Sequence, residues 1–227
     1  MIKRITILLF FSLPLYAFAQ FERETDLGSV FAFEMEKDLY RNFSLSFEEE
    51  VRFSTSSTKF FERNMATLGI DYSFIDKRLK AGLAYCNIHL YNSKYYFENR
   101  HRYYASLSYK HPLGDFILSW RGRFQGTYRN ENFGEYKINP KYALRNKIDL
   151  EYNIFGSPWR PSVSMDFANT MNDPMGDYFY RIRYQGSVSW RINRTESLDF
   201  FLRLDHYIAD EDPHILAIGV CFKKKLL

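Results

Sequence analysis

The sequence predicts an all-β fold, a closed antiparallel transmembrane β-barrel of 10–12 strands, and three observations carry that prediction. Most of the chain alternates apolar and polar residues with a two-residue period, which puts apolar side chains on one face of a strand and polar ones on the other. The connections between these runs alternate between short and long, as in barrels with tight turns at one end and larger loops at the other. Aromatic residues make up 19 % of the chain, with 18 Tyr, 22 Phe and 3 Trp, and Tyr and Trp favour the boundary between lipid and water.

The first residues, MIKRITILLFFSLPLYAFAQ, place Lys3 and Arg4 ahead of an apolar run from Ile5 to Phe18, with small residues at Ala17 and Ala19. That is the layout of a secretory signal peptide cleaved after Ala19, and the run is too short for a good spanning helix. Residues 1–19 are therefore read as signal peptide and 20–227 as one barrel domain, exported to a bacterial outer membrane. No Cys follows the cleavage site, which argues against a lipid-anchored N-terminus. Removing Lys3 and Arg4 lowers Lys+Arg from 31 to 29 against 27 Asp+Glu, so the mature charge is +2 and a nucleic-acid partner is not expected.

Three runs show the pattern best. In Phe116–Tyr128 one face carries Phe116, Leu118, Trp120, Phe124 and Tyr128, and the other Ser119, Arg121, Arg123, Gln125 and Thr127. Tyr142–Ile154 sets Tyr142, Leu144, Ile148 and Leu150 against Arg145, Lys147, Asp149 and Glu151, and Tyr178–Trp190 sets Ile182, Tyr184 and Val188 against Arg181 and Arg183. Runs near 29–37, 42–53, 65–74, 79–90, 100–110, 161–170, 197–207 and 214–223 fit less tidily and bring the count to about eleven. Many reach the roughly 9–11 residues that cross a bilayer at a tilt. Bacterial barrels favour even counts, so ten or twelve wall strands are expected, with Phe21–Leu27 either threading the lumen or adding a short strand. A soluble β-sandwich also alternates, but strand length, aromatics toward run ends and the density of Arg and Glu on the polar face favour the membrane barrel.

The motifs FSLSFEEEVRF (Phe43–Phe53), YSFIDKRLKAGLAY (Tyr72–Tyr85), NRHRYYASLSY (Asn99–Tyr109), WRGRFQ (Trp120–Gln125), YALRNKIDLEY (Tyr142–Tyr152) and YRIRYQGSVSWRI (Tyr180–Ile192) span most of the mature chain. Together they resemble the bacterial outer-membrane β-barrel proteins of domain-of-unknown-function family 2490. Asp166, where that family tends to carry a glutamate, and the Lys223-Lys224-Lys225 run after Phe222 depart from it. The resemblance implies fold and location, and no activity.

The polar face supplies the candidate site, a lumen charge network of Glu48, Glu50, Arg52, Asp71, Arg100, Arg102, Arg121, Arg123, Arg145, Lys147, Asp149, Glu151, Asp166, Arg181, Arg183, Asp199, Arg203 and Asp205. Guanidinium groups on some strands can be bridged by carboxylates on others, which would fill a small barrel; the alternative is a narrow channel for an anionic or zwitterionic solute.

Lipid-modifying catalysis needs a Ser beside a His at the rim. His101 and Ser106 are an odd number of positions apart and face opposite ways, whereas His89 and His206 lie near loop ends with no motif marking a Ser. No catalytic residue is therefore assigned. The acidic stretch Asp205–His214 could hold Ca²⁺ but reads as a solvated loop, and no zinc-type spacing exists, so neither metal nor cofactor is expected. Cys86 and Cys221 travel an oxidising route, yet each sits within a strand-like run, where a small packing residue is the commoner role. The lysines after Phe222 read as a periplasmic tail. Expected partners are outer-membrane lipid, lipopolysaccharide and, during biogenesis, the barrel-assembly machinery; the sequence leaves the oligomeric state open.

Overall fold

Among the described residues the alternating runs become eleven strands: β1 (Thr25–Asp38), β2 (Phe43–Ser54), β3 (Phe61–Phe74), β4 (Leu79–Tyr91), β5 (Phe97–Leu113), β6 (Phe116–Arg129), β7 (Lys141–Tyr152), β8 (Trp159–Thr170), β9 (Phe179–Arg191), β10 (Glu196–Tyr207) and β11 (His214–Leu226). The computed structural model describes residues 25–54, 60–91, 97–129, 139–208 and 213–226; the expected signal peptide and residues 20–24 lie outside them. Neighbours pair in chain order, and β1 pairs β11, so the sheet closes on itself and leaves no edge strand.

Closure corrects the expected even count. Hairpins reverse the chain at every turn, so an odd number of strands leaves the first and last pointing the same way, and β1 joins β11 in parallel from Thr25↔His214 to Lys37↔Leu226. The barrel is antiparallel everywhere except at this seam. Thr25–Leu27 forms the start of β1, so this part of the N-terminal segment neither threads the lumen nor makes a twelfth strand.

Parallel pairing is slightly weaker per residue than antiparallel, and side chains reinforce the seam. Lys223 Nζ lies 3.1 Å from Glu34 and 2.9 Å from Asp199, Lys225 Nζ lies 2.8 Å from Asp38, and the Phe33 and Phe222 rings stack at 6.0 Å. Val30, Phe201, Ala217 and Cys221 form a buried apolar cluster behind it. The three lysines are thus not a tail: they continue β11, because opposing carboxylates on β1 and β10 give them partners in register.

Turn chemistry sets the two ends. The loop between β5 and β6 is two residues, with Gly114 at φ +62, the left-handed geometry that tight hairpins require. The turns after β1, β3, β7 and β9 are also short. The connections after β2, β4, β6, β8 and β10 gather at the opposite, long-loop end, and parts of all of them except that after β8 lie outside the described residues.

The two faces of the wall differ as the alternation predicts. Large apolar side chains such as Phe31, Leu68, Leu83, Phe124, Phe200 and Ile218 are exposed on the outside. Glu50, Arg52, Gln125, Asp166, Arg203 and Asp205 are buried inside. Apolar residues exposed all round the perimeter, with charge enclosed, describe a barrel solvated by lipid. Aromatic pairs near the short-turn end, including Trp159–Trp190 at 5.6 Å and Phe116–Tyr152 at 4.8 Å, form the interfacial girdle on that side.

Candidate functional site

The register places Glu48, Glu50, Arg52, Asp71, Arg100, Arg102, Arg121, Arg123, Arg145, Lys147, Asp149, Glu151, Asp166, Arg181, Arg183, Asp199, Arg203 and Asp205 on the inward face. Side-chain contacts divide them into local pairs and bridges across the interior.

The most deeply buried pair joins neighbouring strands β9 and β10. Arg183 Nε and Nη2 donate to the two oxygens of Asp205 at 2.5 and 2.8 Å, a planar fork meeting a planar carboxylate. Asp205 is 2 % exposed, and Arg181 Nε stands 4.0 Å from the same carboxylate. Arg145 on β7 makes the same two-pronged contact with Asp166 on β8. On β2, Arg52 Nε donates to Glu50 at 2.5 Å. Arg100 forks onto Glu98 at 2.7 and 3.1 Å, and Arg160 approaches Glu151 at 3.5 Å.

Two contacts cross the interior. Arg203 of β10 reaches Glu50 of β2 at 3.6 Å although β11 and β1 stand between them in the wall. Lys80 of β4 reaches Glu36 of β1 at 2.9 Å across β3 and β2. Adjacent strands are about 4.8 Å apart, so each bridge subtends three strand spacings and lies on a chord of the barrel. The Arg203 guanidinium also lies 4.8 Å over the Phe201 ring. That ring covers Gly219 so closely that an added Cβ would stand 2.2 Å from it, which is why the wall has no side chain there.

Other members are held differently. Arg123 stacks its guanidinium on the Tyr104 ring at 4.0 Å, and Arg102 donates to Thr127 Oγ1 at 3.1 Å. Lys147 approaches Asp149 at 3.8 Å, and Asp71 lies 3.9 Å from Lys80. Among the described residues, Glu48, Arg102, Arg121 and Arg123 have no opposite charge within 4.0 Å. Near the short-turn end a polar cavity of about 350 Å³ opens between Glu34, Glu36, Glu48, Tyr104 and Lys223.

The family model described as "Protein of unknown function (DUF2490)" matches residues 28–210, from β1 to the end of β10. The chain belongs to the DUF2490 family. A solved structure described as "NanC porin structure in rhombohedral crystal form" is similar at 12 % identity and a TM-score of 0.51, covering 79 % of this chain and 86 % of that one. That likeness concerns the fold: both are porin-like β-barrels. No curated protein matches the sequence.

In this DUF2490 barrel the remaining sequence candidates separate. His101 faces outward and Ser106 inward, so the two stand on opposite sides of β5. His89 faces outward with Asn99, and His206 with His214, whose ring lies 4.5 Å from it. In the Asp205–His214 stretch Asp205 points into the barrel, away from both histidines, and residues 209–212 lie outside the described residues. Cys86 on β4 and Cys221 on β11 are both buried free thiols, so the disulfide that export permits is not formed. Those strands are four places apart in the ring, and the rigid wall keeps the two thiols on separate segments.

Among the interior charges that sequence reasoning missed are Glu34, Glu36, Lys80, Glu98, Arg160 and Lys223. The signal was present: Glu34 and Glu36 alternate with Phe33 and Met35, and Lys80 shares its strand face with Cys86.

Proposed function

We propose that this DUF2490 protein is a non-enzymatic bacterial outer-membrane barrel, its long loops facing outward and its interior closed to solutes by ion pairs. The Arg203–Glu50 bridge carries the reading, because side chains that meet from strands three places apart occupy the space a solute would need. The Arg183–Asp205 and Arg145–Asp166 forks support it by filling the wall beside that bridge, and the Lys80–Glu36 bridge does the same nearer the short turns. The His101 and Ser106 side chains point to opposite faces of β5, so this pair gives catalysis no support.

A planar-bilayer recording tests the closed interior. The purified full-length protein is expected to insert without steady conductance, and Glu50→Ala, which releases Arg203 and Arg52, to admit small ions. Reproducible wild-type channels that close or change selectivity on Arg203→Ala would replace the closed interior with a narrow charged pore. Location is read separately, from heat-dependent gel mobility of the protein in the outer-membrane fraction.

A further inference from the structure

One sector of the outer wall departs from the apolar rule. On β2–β5, toward the long loops, the outward positions include Glu49, Asn64, Asn87, His89, Asn99 and His101, set among Val51, Ala66 and Phe97. They form a lattice in register: Asn64 sits opposite His89 and His89 opposite Asn99, while Asn87 sits opposite His101. Hydrogen bonds tie it together. Asn64 Nδ2 donates to Glu49 Oε1 at 3.3 Å, His89 Nδ1–H donates to Asn99 Oδ1 at 2.6 Å, and Tyr85 Oη lies 2.7 Å from His101 Nδ1. Elsewhere on the perimeter the outward residues toward the same end are mostly apolar, among them Phe124, Leu144, Phe167, Leu204 and Leu216, interrupted by Asn169 on β8 and by His206 and His214 on β10 and β11. Six polar side chains on a lipid-facing wall are costly unless something polar meets them.

Directly beside the lattice lies an open apolar groove of about 580 Å³, lined by Leu68, Leu83, Tyr85, Tyr103, Ala105 and Gly126. Small residues form its floor, and Tyr142 lies against Gly126, where an added Cβ would stand 2.9 Å from the ring. Tyr85 belongs to both features, since its ring walls the groove and its hydroxyl contacts His101. A chain-shaped apolar recess thus runs into a patch of donors and acceptors.

We propose that this sector binds a glycolipid of the outer leaflet, one acyl chain in the groove and the sugar hydroxyls on the Asn87–His89–Asn99–His101 lattice. The chemistry selects the occupant. The lattice has no Lys or Arg, so it takes the hydroxyls and ring faces of the headgroup and leaves any phosphate to solvent: it offers neutral amides and imidazoles, one carboxylate acceptor and flat ring faces. His89 stacks on Phe97 at 4.8 Å, and Tyr85 on His101 at 6.0 Å, giving the aromatic platforms against which sugar rings pack. With Nδ1–H committed to Asn99, His89 presents Nε2 as an acceptor for a hydroxyl proton. A second apolar groove, of about 520 Å³ on β1 and β8–β11, has no such lattice and serves as the internal control.

The inference rests on the outer-membrane reading, and one experiment separates the two. Full-length protein is purified from outer membranes in mild detergent, checked for heat-dependent mobility, and examined by native mass spectrometry with purified lipid A or phosphatidylethanolamine added. Wild type is expected to hold a single lipid A per barrel. Asn87→Leu with His101→Leu, which removes the polar contacts, and Ala105→Trp, which fills the groove, are each expected to hold about tenfold less, whereas Ile218→Trp in the control groove holds as much as wild type. Two independent variants keep the test decisive should one fail to fold. A folded wild type that carries no lipid A, prefers phosphatidylethanolamine, or covers the patch with a second copy of the chain overturns the glycolipid site and leaves the barrel reading intact. Equal retention by both variants also overturns it. Loss of heat-dependent mobility in wild type overturns the outer-membrane reading itself.

Discussion

Asp205→Ala probes the closed interior most directly. Asp205 is 2 % exposed and accepts two hydrogen bonds from Arg183, with Arg181 4.0 Å away, so its removal leaves two guanidinium groups facing each other without a carboxylate between them. Removing one partner of a buried ion pair costs about 3–5 kcal/mol, most of it from the charge left behind. With a slope of about 2 kcal/mol/M the urea midpoint of reconstituted protein should fall by about 2 M. Heat-dependent mobility after urea incubation in lipid vesicles measures it. Arg183→Met combined with Asp205→Leu removes both charges, and most of the loss should return, because apolar replacement of a buried pair is often neutral or stabilising. A loss below about 1 kcal/mol for Asp205→Ala would be the cost of a solvated surface pair. Water would then reach Arg183 freely, and the argument for an interior closed at this level would fail.

Gly219→Val should destabilise by about 1–3 kcal/mol, the usual cost of overpacking, because its Cβ would stand 2.2 Å from the Phe201 ring; the urea midpoint reads it, and an unchanged midpoint contradicts the packing. Glu36→Gln breaks the Lys80 bridge between two groups that are 42 and 33 % exposed, so stability should change by less than about 1 kcal/mol. The same variant should raise conductance less than Glu50→Ala does. Cys86 and Cys221 should both react with a thiol reagent after unfolding and resist it before, with no mobility change on reduction. A mass lower by two hydrogens in the untreated protein would contradict the free thiols.

The wall was legible in the sequence because a strand's period is an integer: once Arg121 and Arg123 are assigned to one face, Trp120 and Phe124 must take the other. The interior residues followed for the same reason. Their contacts did not, because the Arg203–Glu50 and Lys80–Glu36 bridges depend on curvature and stagger that no one-dimensional pattern contains. The closing pair was hidden too. An odd count looked like an error because even barrels close antiparallel, and the lysines that reinforce the parallel seam looked like a tail because their carboxylates, Glu34, Asp38 and Asp199, are far away in sequence. The runs near 79–90 and 100–110, counted as strands, fit the alternation less tidily for a physical reason. Their outward face carries Asn87, His89, Asn99 and His101, so the polar-in rule weakens where the outer wall itself is polar.

These features bear on where recognition can occur. Inside the barrel, the Arg183–Asp205 and Arg145–Asp166 forks pair their charges, and a ligand entering at that level would have to displace ion pairs from a low-dielectric interior, while Arg102, Arg121 and Arg123 keep no carboxylate within 4.0 Å among the described residues. Outside, the Asn87–His101 lattice keeps acceptors and donors open to the surroundings while its internal hydrogen bonds hold the side chains in place. Pre-organised groups that are not fully satisfied bind at lower entropic cost than groups that must first abandon partners. The wall facing lipid is therefore a second place to look for a ligand, and an activity sought only by solute flux would overlook it.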